Sequence, residues 1–143
     1  EKNFELVVEN ALITGQIDLL KKFDKKGNVA EVEIVDFKSM EKKDGVYETN
    51  YEKQLRYYAI ACLDSLGLKP EKAVVHHLSD NKKHEVDISE KYLKQTKSEI
   101  RKNVENILAR NYPAKPDKKT CEGCDWARIC PHKKFDVGVD FRE

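Results

Sequence analysis

The chain has 143 residues, room for one domain of ordinary size with a core that needs no covalent staples. Lys and Arg number 27 against 26 Asp and Glu, so no overall basic field announces a nucleic-acid partner, and any such partner has to be met by a local patch. The apolar stretches run to only a few residues, which excludes a membrane-spanning helix.

Phe4-Glu-Leu-Val-Val-Glu9 is rich in β-formers and reads as a strand. Glu1 stands at the edge of this run without an initiating Met, so the chain reads as a piece of a longer protein, and no basic-then-apolar leader argues for export. Two longer β-type runs follow over residues 12–23 and 29–39. Between them Asp24-Lys-Lys-Gly27-Asn28 is a turn by composition, because Gly and Asn tolerate positive φ. Period two puts Ala30, Val32, Ile34, Asp36 and Lys38 on one face of the second run. The three runs together read as an antiparallel meander.

Residues 40–48 read as a polar loop. Thr49 with Glu52 fits a capping box that opens a helix at about residue 50. Leu55, Tyr58, Ala59, Cys62 and Leu66 trace its apolar stripe, and Gly67 stops it. Lys72–Leu78 is a short strand, Asn81 lies in a turn, and Glu85–Ile88 is a partner strand. Ser89 caps a helix to about Arg110, with Leu93, Ile100, Val104 and Ile107 on one face. From residue 90 to 119 nine Lys or Arg stand against four acids, so this helix and the segment after it carry the local basic excess. Pro113 and Pro116 lead into a cysteine cluster, and residues 132–143 are a tail without pattern. The order predicts an α/β or α+β domain with a mixed central sheet flanked by helices.

The informative feature is Gly15-Gln-Ile-Asp18 followed by Val35-Asp36-Phe37-Lys38. If Asp24 and Asn28 flank the turn symmetrically, residue 18 faces residue 34. Asp18 and Asp36 are then diagonal neighbours on one sheet face, roughly 7–8 Å apart at the backbone, with Lys38 two residues further on. A slip of one residue would send Asp18 to the other face. Two converging carboxylates repel unless a cation stands between them, and all-oxygen ligation suits Mg²⁺ or Mn²⁺. Such a site, with an amine beside it, meets the needs of phosphodiester hydrolysis. An Asp and a Lys two apart on a strand more often form a solvated face. Here Ile34, Val35 and Phe37 point to a buried strand, where a charged pair needs a reason.

Cys121-x2-Cys124-x5-Cys130 offers three soft thiolates from one loop. In a reducing compartment that spacing points to zinc or an iron–sulfur centre rather than disulfides. Cys62 is a possible fourth ligand, although its place on an apolar stripe favours a core cysteine. His132 would complete a Cys3His zinc site. His76, His77, His84 and His132 otherwise read as strand, turn and tail residues.

Taken in order, Gly-x-x-Asp, the strand ending Asp-x-Lys and Gln54-Leu-Arg-Tyr-Tyr58 resemble the PD-(D/E)xK nuclease superfamily in its RecB-like branch. The cysteine spacing resembles the iron–sulfur subset of AddB-type and CRISPR adaptation nucleases. Asp-Phe-Lys-Ser and the short spacing to Tyr51-Glu-Lys-Gln-Leu resemble nuclease domains fused behind UvrD-type helicases. The resemblance runs from about residue 4 to 131 and implies a restriction-endonuclease-like core. It implies that Asp18, Asp36 and the Phe37 carbonyl hold Mg²⁺ or Mn²⁺, that Lys38 is the catalytic lysine, and that Gln54 and Tyr58, four apart on one helix face, line the site. Glu5 is a candidate for the family's first-strand acid. The family's upstream helix, with its metal-ligating His and first cluster Cys, has no counterpart here. The resemblance also implies a [4Fe–4S] cluster on Cys121, Cys124 and Cys130 with a further Cys upstream; with that Cys absent, the loop holds zinc or nothing.

The expectation is therefore a metal-dependent DNA nuclease domain, 1–131 including the cysteine loop at 113–131. It would act on single strands supplied by a linked helicase in DNA repair or recombination, in the cytoplasm at the nucleoid. Lys91, Lys94 and Lys102 are candidate phosphate contacts, with an ordinary solvated helix face as the alternative. Two rivals are an inactive DNA-binding scaffold of a helicase and a zinc-binding interaction module.

Overall fold

A computed structural model describes residues 1–23, 30–39 and 46–133, with the backbone alone at 46–49. The turn expected at 24–28, most of the loop at 40–48 and nearly all of the tail lie outside the described residues. Two compact units, 1–105 and 106–143, divide the chain.

In the first unit, β1 (Lys2–Val8) and β2 (Ala11–Ile17) form a two-stranded antiparallel sheet. A second sheet has the order β3-β4-β5-β6, with β3 (Leu19–Phe23), β4 (Glu31–Lys38), β5 (Lys69–His77) and β6 (Lys82–Glu85). The run expected as one strand over 12–23 is therefore two strands in two sheets, broken by a bend at Asp18. β4 and β5 are parallel, the other pairs antiparallel. This is the mixed sheet in an α+β fold that the element order predicts.

Parallel neighbours need a crossover, and α1 (Val46–Asp64) supplies it. The helix begins at Val46, a turn earlier than the Thr49 capping box places it. It ends where Leu68 N–H reaches back to the Cys62 carbonyl at 2.8 Å, with Gly67 at φ +62° making the reversal. The stripe of α1 buries Leu55, Ala59 and Cys62 against Val32, Ile34, Ala73 and Val75 of the sheet, and Phe4, Leu6 and Ile17 of the small sheet join the same core. α2 (Glu90–Leu108) adds Ile100 and Val104 to it. Ile107, expected on that face, is largely exposed in the final turn.

Gly15 explains itself sterically. It is the cross-strand partner of Phe4, and a Cβ there would lie 2.5 Å from Phe4 Cζ. Only glycine lets the phenyl ring lie across β2, where it meets the Tyr58 ring edge-on at 5.9 Å.

In the second unit, α3 (Lys118–Glu122) lies inside the stretch expected as a loop. Asp117 caps it by accepting Thr120 N–H at 3.0 Å; the Thr120 hydroxyl, which also donates to this carboxyl, and after it the N–H bond hold Asp117 below its ordinary range. Cys121 and Ala127 are buried, while Trp126 and Ile129 are exposed.

Candidate active site

The candidate residues gather at the carboxyl ends of the parallel pair β4 and β5, where crossover topologies place their sites. Observed pairs are Leu19↔Val35 and Leu20↔Ile34, two residues away from the register expected from a symmetric turn. Because the side-chain period is two, this displacement keeps Asp18 on the face expected for it. It turns a diagonal relationship with Asp36 into a direct one, since Asp18 lies one step beyond Leu19↔Val35. Asp18 Oδ2 accepts the Phe37 N–H at 2.9 Å, so the bend is tied to β4 by the carboxylate itself.

Asp36 is 1% exposed, and burial drives its carboxyl above the ordinary aspartate value. The hydrogen bond and positive charge of Lys38 pull it back, and the negative charge of Asp18 pushes it further up. The Lys38 ammonium stands 2.6 Å from Asp36 Oδ2, and apart from that amine no donor among the described residues reaches this buried oxygen. The repulsion between the two carboxylates is thus relieved here by the amine.

Lys38 Nζ also donates to Gln54 Oε1 at 3.1 Å. An ammonium has only donors, so this contact fixes the Gln54 amide with its NH₂ turned the other way. That group donates to Tyr58 Oη at 2.7 Å. Burial raises the Tyr58 pKa, the Gln54 bond opposes the rise, and the Asp36 and Asp18 charges add to it, so the phenol stays protonated. Asp36, Lys38, Gln54 and Tyr58 form one continuous polar chain. The α-helical spacing of Gln54 and Tyr58 and the period-two spacing of Asp36 and Lys38 put the four side chains on facing surfaces.

Sequence reasoning missed Tyr51 beside the amine and His77 behind that ring. Lys38 Nζ lies 4.7 Å from the centre of the Tyr51 ring, and the Tyr51 ring packs on His77 at 6.4 Å, close to edge-on. The available signals were Tyr51 three residues before Gln54 on the same helix face, and His77 at the end of a strand.

Other candidates fall elsewhere. Glu5, the candidate first-strand acid, is exposed and points away from Phe4 and Leu6, whose side of β1 meets the core. A depression of about 440 Å³ lined by Glu5, Glu9, Asp64, Lys97 and Arg101 lies apart from the acidic pair. Four of these five charges pair off, Lys97 with Asp64 at 2.7 Å and Arg101 with Glu9 at 3.7 Å. On the outer face of α2, Lys94 pairs with Glu90 at 2.6 Å and Lys91 lies against Tyr92, while Lys102 is exposed. The basic excess read from the sequence is partly cancelled by two acids outside the helix, Asp64 on Lys97 and Glu9 on Arg101.

Cys62 is fully buried on the α1 stripe, and desolvation pushes its thiol up to about 11, the state of a core cysteine rather than a ligand. Cys121 is buried, Cys130 half-buried and Cys124 exposed. Among the described residues no three His, Cys, Asp or Glu side chains are grouped as metal ligands. As folded here the three thiols do not fit a [4Fe–4S] cluster, which needs four converging ligands.

The acidic pair does fit a hard dication. Mg²⁺ keeps several waters and takes one or two carboxylates, so it needs no cluster of three side chains. The buried Oδ2 of Asp36, with only the Lys38 amine on it, is the atom such an ion would take. Asp18 and the Phe37 carbonyl are the further oxygens implied.

A family model described as the PD-(D/E)XK nuclease superfamily matches residues 1–131. No curated protein matches the chain.

Proposed function

The chain belongs to the PD-(D/E)XK nuclease superfamily, and on that premise we propose that it is a metal-dependent deoxyribonuclease whose working residues are Asp18, Asp36, Lys38, Gln54 and Tyr58. The observation that carries this reading is the buried Asp36 carboxylate whose exposed-side partner is a lysine two residues along the same strand. A buried charge pair of this kind is costly unless the site uses it.

Asp18, Asp36 and the Phe37 carbonyl would hold Mg²⁺ or Mn²⁺. Such an ion supplies Lewis-acid neutralisation at the scissile phosphate and acidifies water. With the carboxylates occupied, the Lys38 ammonium is free to hold the attacking water and the phosphoryl oxygens, where negative charge grows as the P–O bond to the leaving nucleotide breaks. Gln54 keeps the amine in place through its carbonyl, and Tyr58 keeps Gln54 oriented. Water adds to phosphorus as the P–O bond to the leaving nucleotide breaks, the proton given up by the water balances the one the leaving oxygen takes, and no redox partner is needed.

The RecB-like wording of the motifs supports a single-stranded DNA substrate and a place behind a UvrD-type helicase motor in repair or recombination. Against the folded positions of the three thiols, the Cys-x2-Cys-x5-Cys spacing alone supports an iron–sulfur cluster or zinc, and iron, sulfide and zinc analysis after anaerobic purification distinguishes the two.

The function is tested by incubating the protein with labelled single- and double-stranded DNA and Mg²⁺ or Mn²⁺. Cleavage that Lys38→Ala lowers by about two orders of magnitude, with DNA binding retained, is the expected result. DNA binding without cleavage under either metal would overturn it in favour of a scaffold.

A further inference from the structure

Lysine reaches its target on a long flexible stem, and nothing in the sequence of β4 fixes where its amine rests. In the structure Asp36 and Gln54 hold the amine by polar contacts, and the Tyr51 ring lies under it at 4.7 Å, within cation–π range. Tyr51 is itself held. Its ring packs close to edge-on against His77, a residue 7% exposed, at 6.4 Å. His77 is the direct partner of Lys38 across the parallel pair β4 and β5, so both side chains leave the sheet on the face that α1 covers. The His77 Nδ1 is buried and finds no hydrogen-bond partner among the described residues, so no polar contact anchors that side of the ring.

We propose that Tyr51, braced by His77, is a positioning residue that keeps the Lys38 amine beside the acidic pair when a dication takes the Asp36 carboxylate. The inference rests on the nuclease reading and adds the device that reading lacks. Asp36 cannot serve a dication and remain the amine's ion-pair partner at full strength. Once the ion pair is given up, repulsion from the dication would drive the ammonium outward. Gln54 offers one neutral acceptor against this. The Tyr51 ring face offers an attraction for a cation that brings no further charge to the site and does not compete for the metal. His77 keeps that face turned toward the amine, because an edge-on partner resists rotation of the ring.

The test compares Tyr51→Phe, Tyr51→Leu, His77→Phe and His77→Ala in two measurements. In the metal-free protein, proton NMR of the Lys38 ε-methylene reports the ring above which it lies. An upfield displacement is expected in the wild type, in Tyr51→Phe and in His77→Phe, reduced in His77→Ala and absent in Tyr51→Leu. In Mn²⁺-dependent cleavage of a single-stranded oligonucleotide, Tyr51→Leu is expected to lower kcat about tenfold with KM changed less than about twofold, and Tyr51→Phe to recover most of the loss. A wild-type Lys38 signal without displacement, or Phe and Leu at 51 behaving alike, overturns the proposal. A displaced signal that follows the ring in a protein that cuts no DNA retains the positioning role and rejects the nuclease reading instead.

Discussion

Asp18 accepts the backbone N–H of Phe37 at 2.9 Å, so the same carboxylate that ends one sheet is pinned to the strand carrying Asp36 and Lys38. The bond supplies the rung that the ladder loses at the bend. Asp18→Asn keeps an oxygen for Phe37 N–H and removes the charge, whereas Asp18→Ala removes both. Asn is expected to unfold within about 0.5 kcal/mol of wild type, with Ala lower by about 1 kcal/mol. On the metal-dependent reading, Mn²⁺ should raise the thermal midpoint of the wild type and of neither variant. Denaturation with and without Mn²⁺ checks both statements.

Gly15→Ala should destabilise by about 1–3 kcal/mol, because the new methyl enters space held by the Phe4 ring. Phe4→Leu combined with Gly15→Ala should recover part of the loss, since a shorter side chain vacates the contact. The double-mutant cycle in urea measures the coupling.

Burial is the largest cause raising the Asp36 carboxyl. A group whose folded pKa lies above its unfolded one binds more protons in the folded state between the two values. Its contribution to stability is therefore full below the unfolded value of about 4 and is lost as pH rises through the folded one. Metal-free protein should lose that contribution on going from acid toward neutral pH, and Asp36→Asn should remove this part of the pH dependence. Added Mg²⁺ or Mn²⁺ should stabilise the wild type most at neutral pH, where the carboxylate is available. Denaturant titrations at several pH values, with and without metal, read both effects.

Cys62 should resist thiol reagents in the folded protein near pH 8, since burial holds its thiol at about 11. Cys124, exposed, should react first. Mass spectrometry of a time course with iodoacetamide gives the order, and urea should bring Cys62 into reach.

Much of this was decided locally. Period two along β4 placed Val32, Ile34 and Asp36 on one face, and helical spacing placed Leu55, Tyr58, Ala59 and Cys62 on another. Both follow from backbone geometry that a few residues of sequence impose. Alternation fixes only whether a register is even or odd. The absolute register of β3 on β4, two residues from the symmetric-turn reading, is therefore beyond what alternation decides. The break of one β-rich run into strands of two sheets escaped for the same reason, because each half alternates as well as the whole would. Tyr51 and His77 reach Lys38 from a helix and from the neighbouring parallel strand, and a crossover brings them there. Such contacts between distant segments leave no period in the sequence, so the identity of the side chains around the amine belonged to the tertiary structure alone.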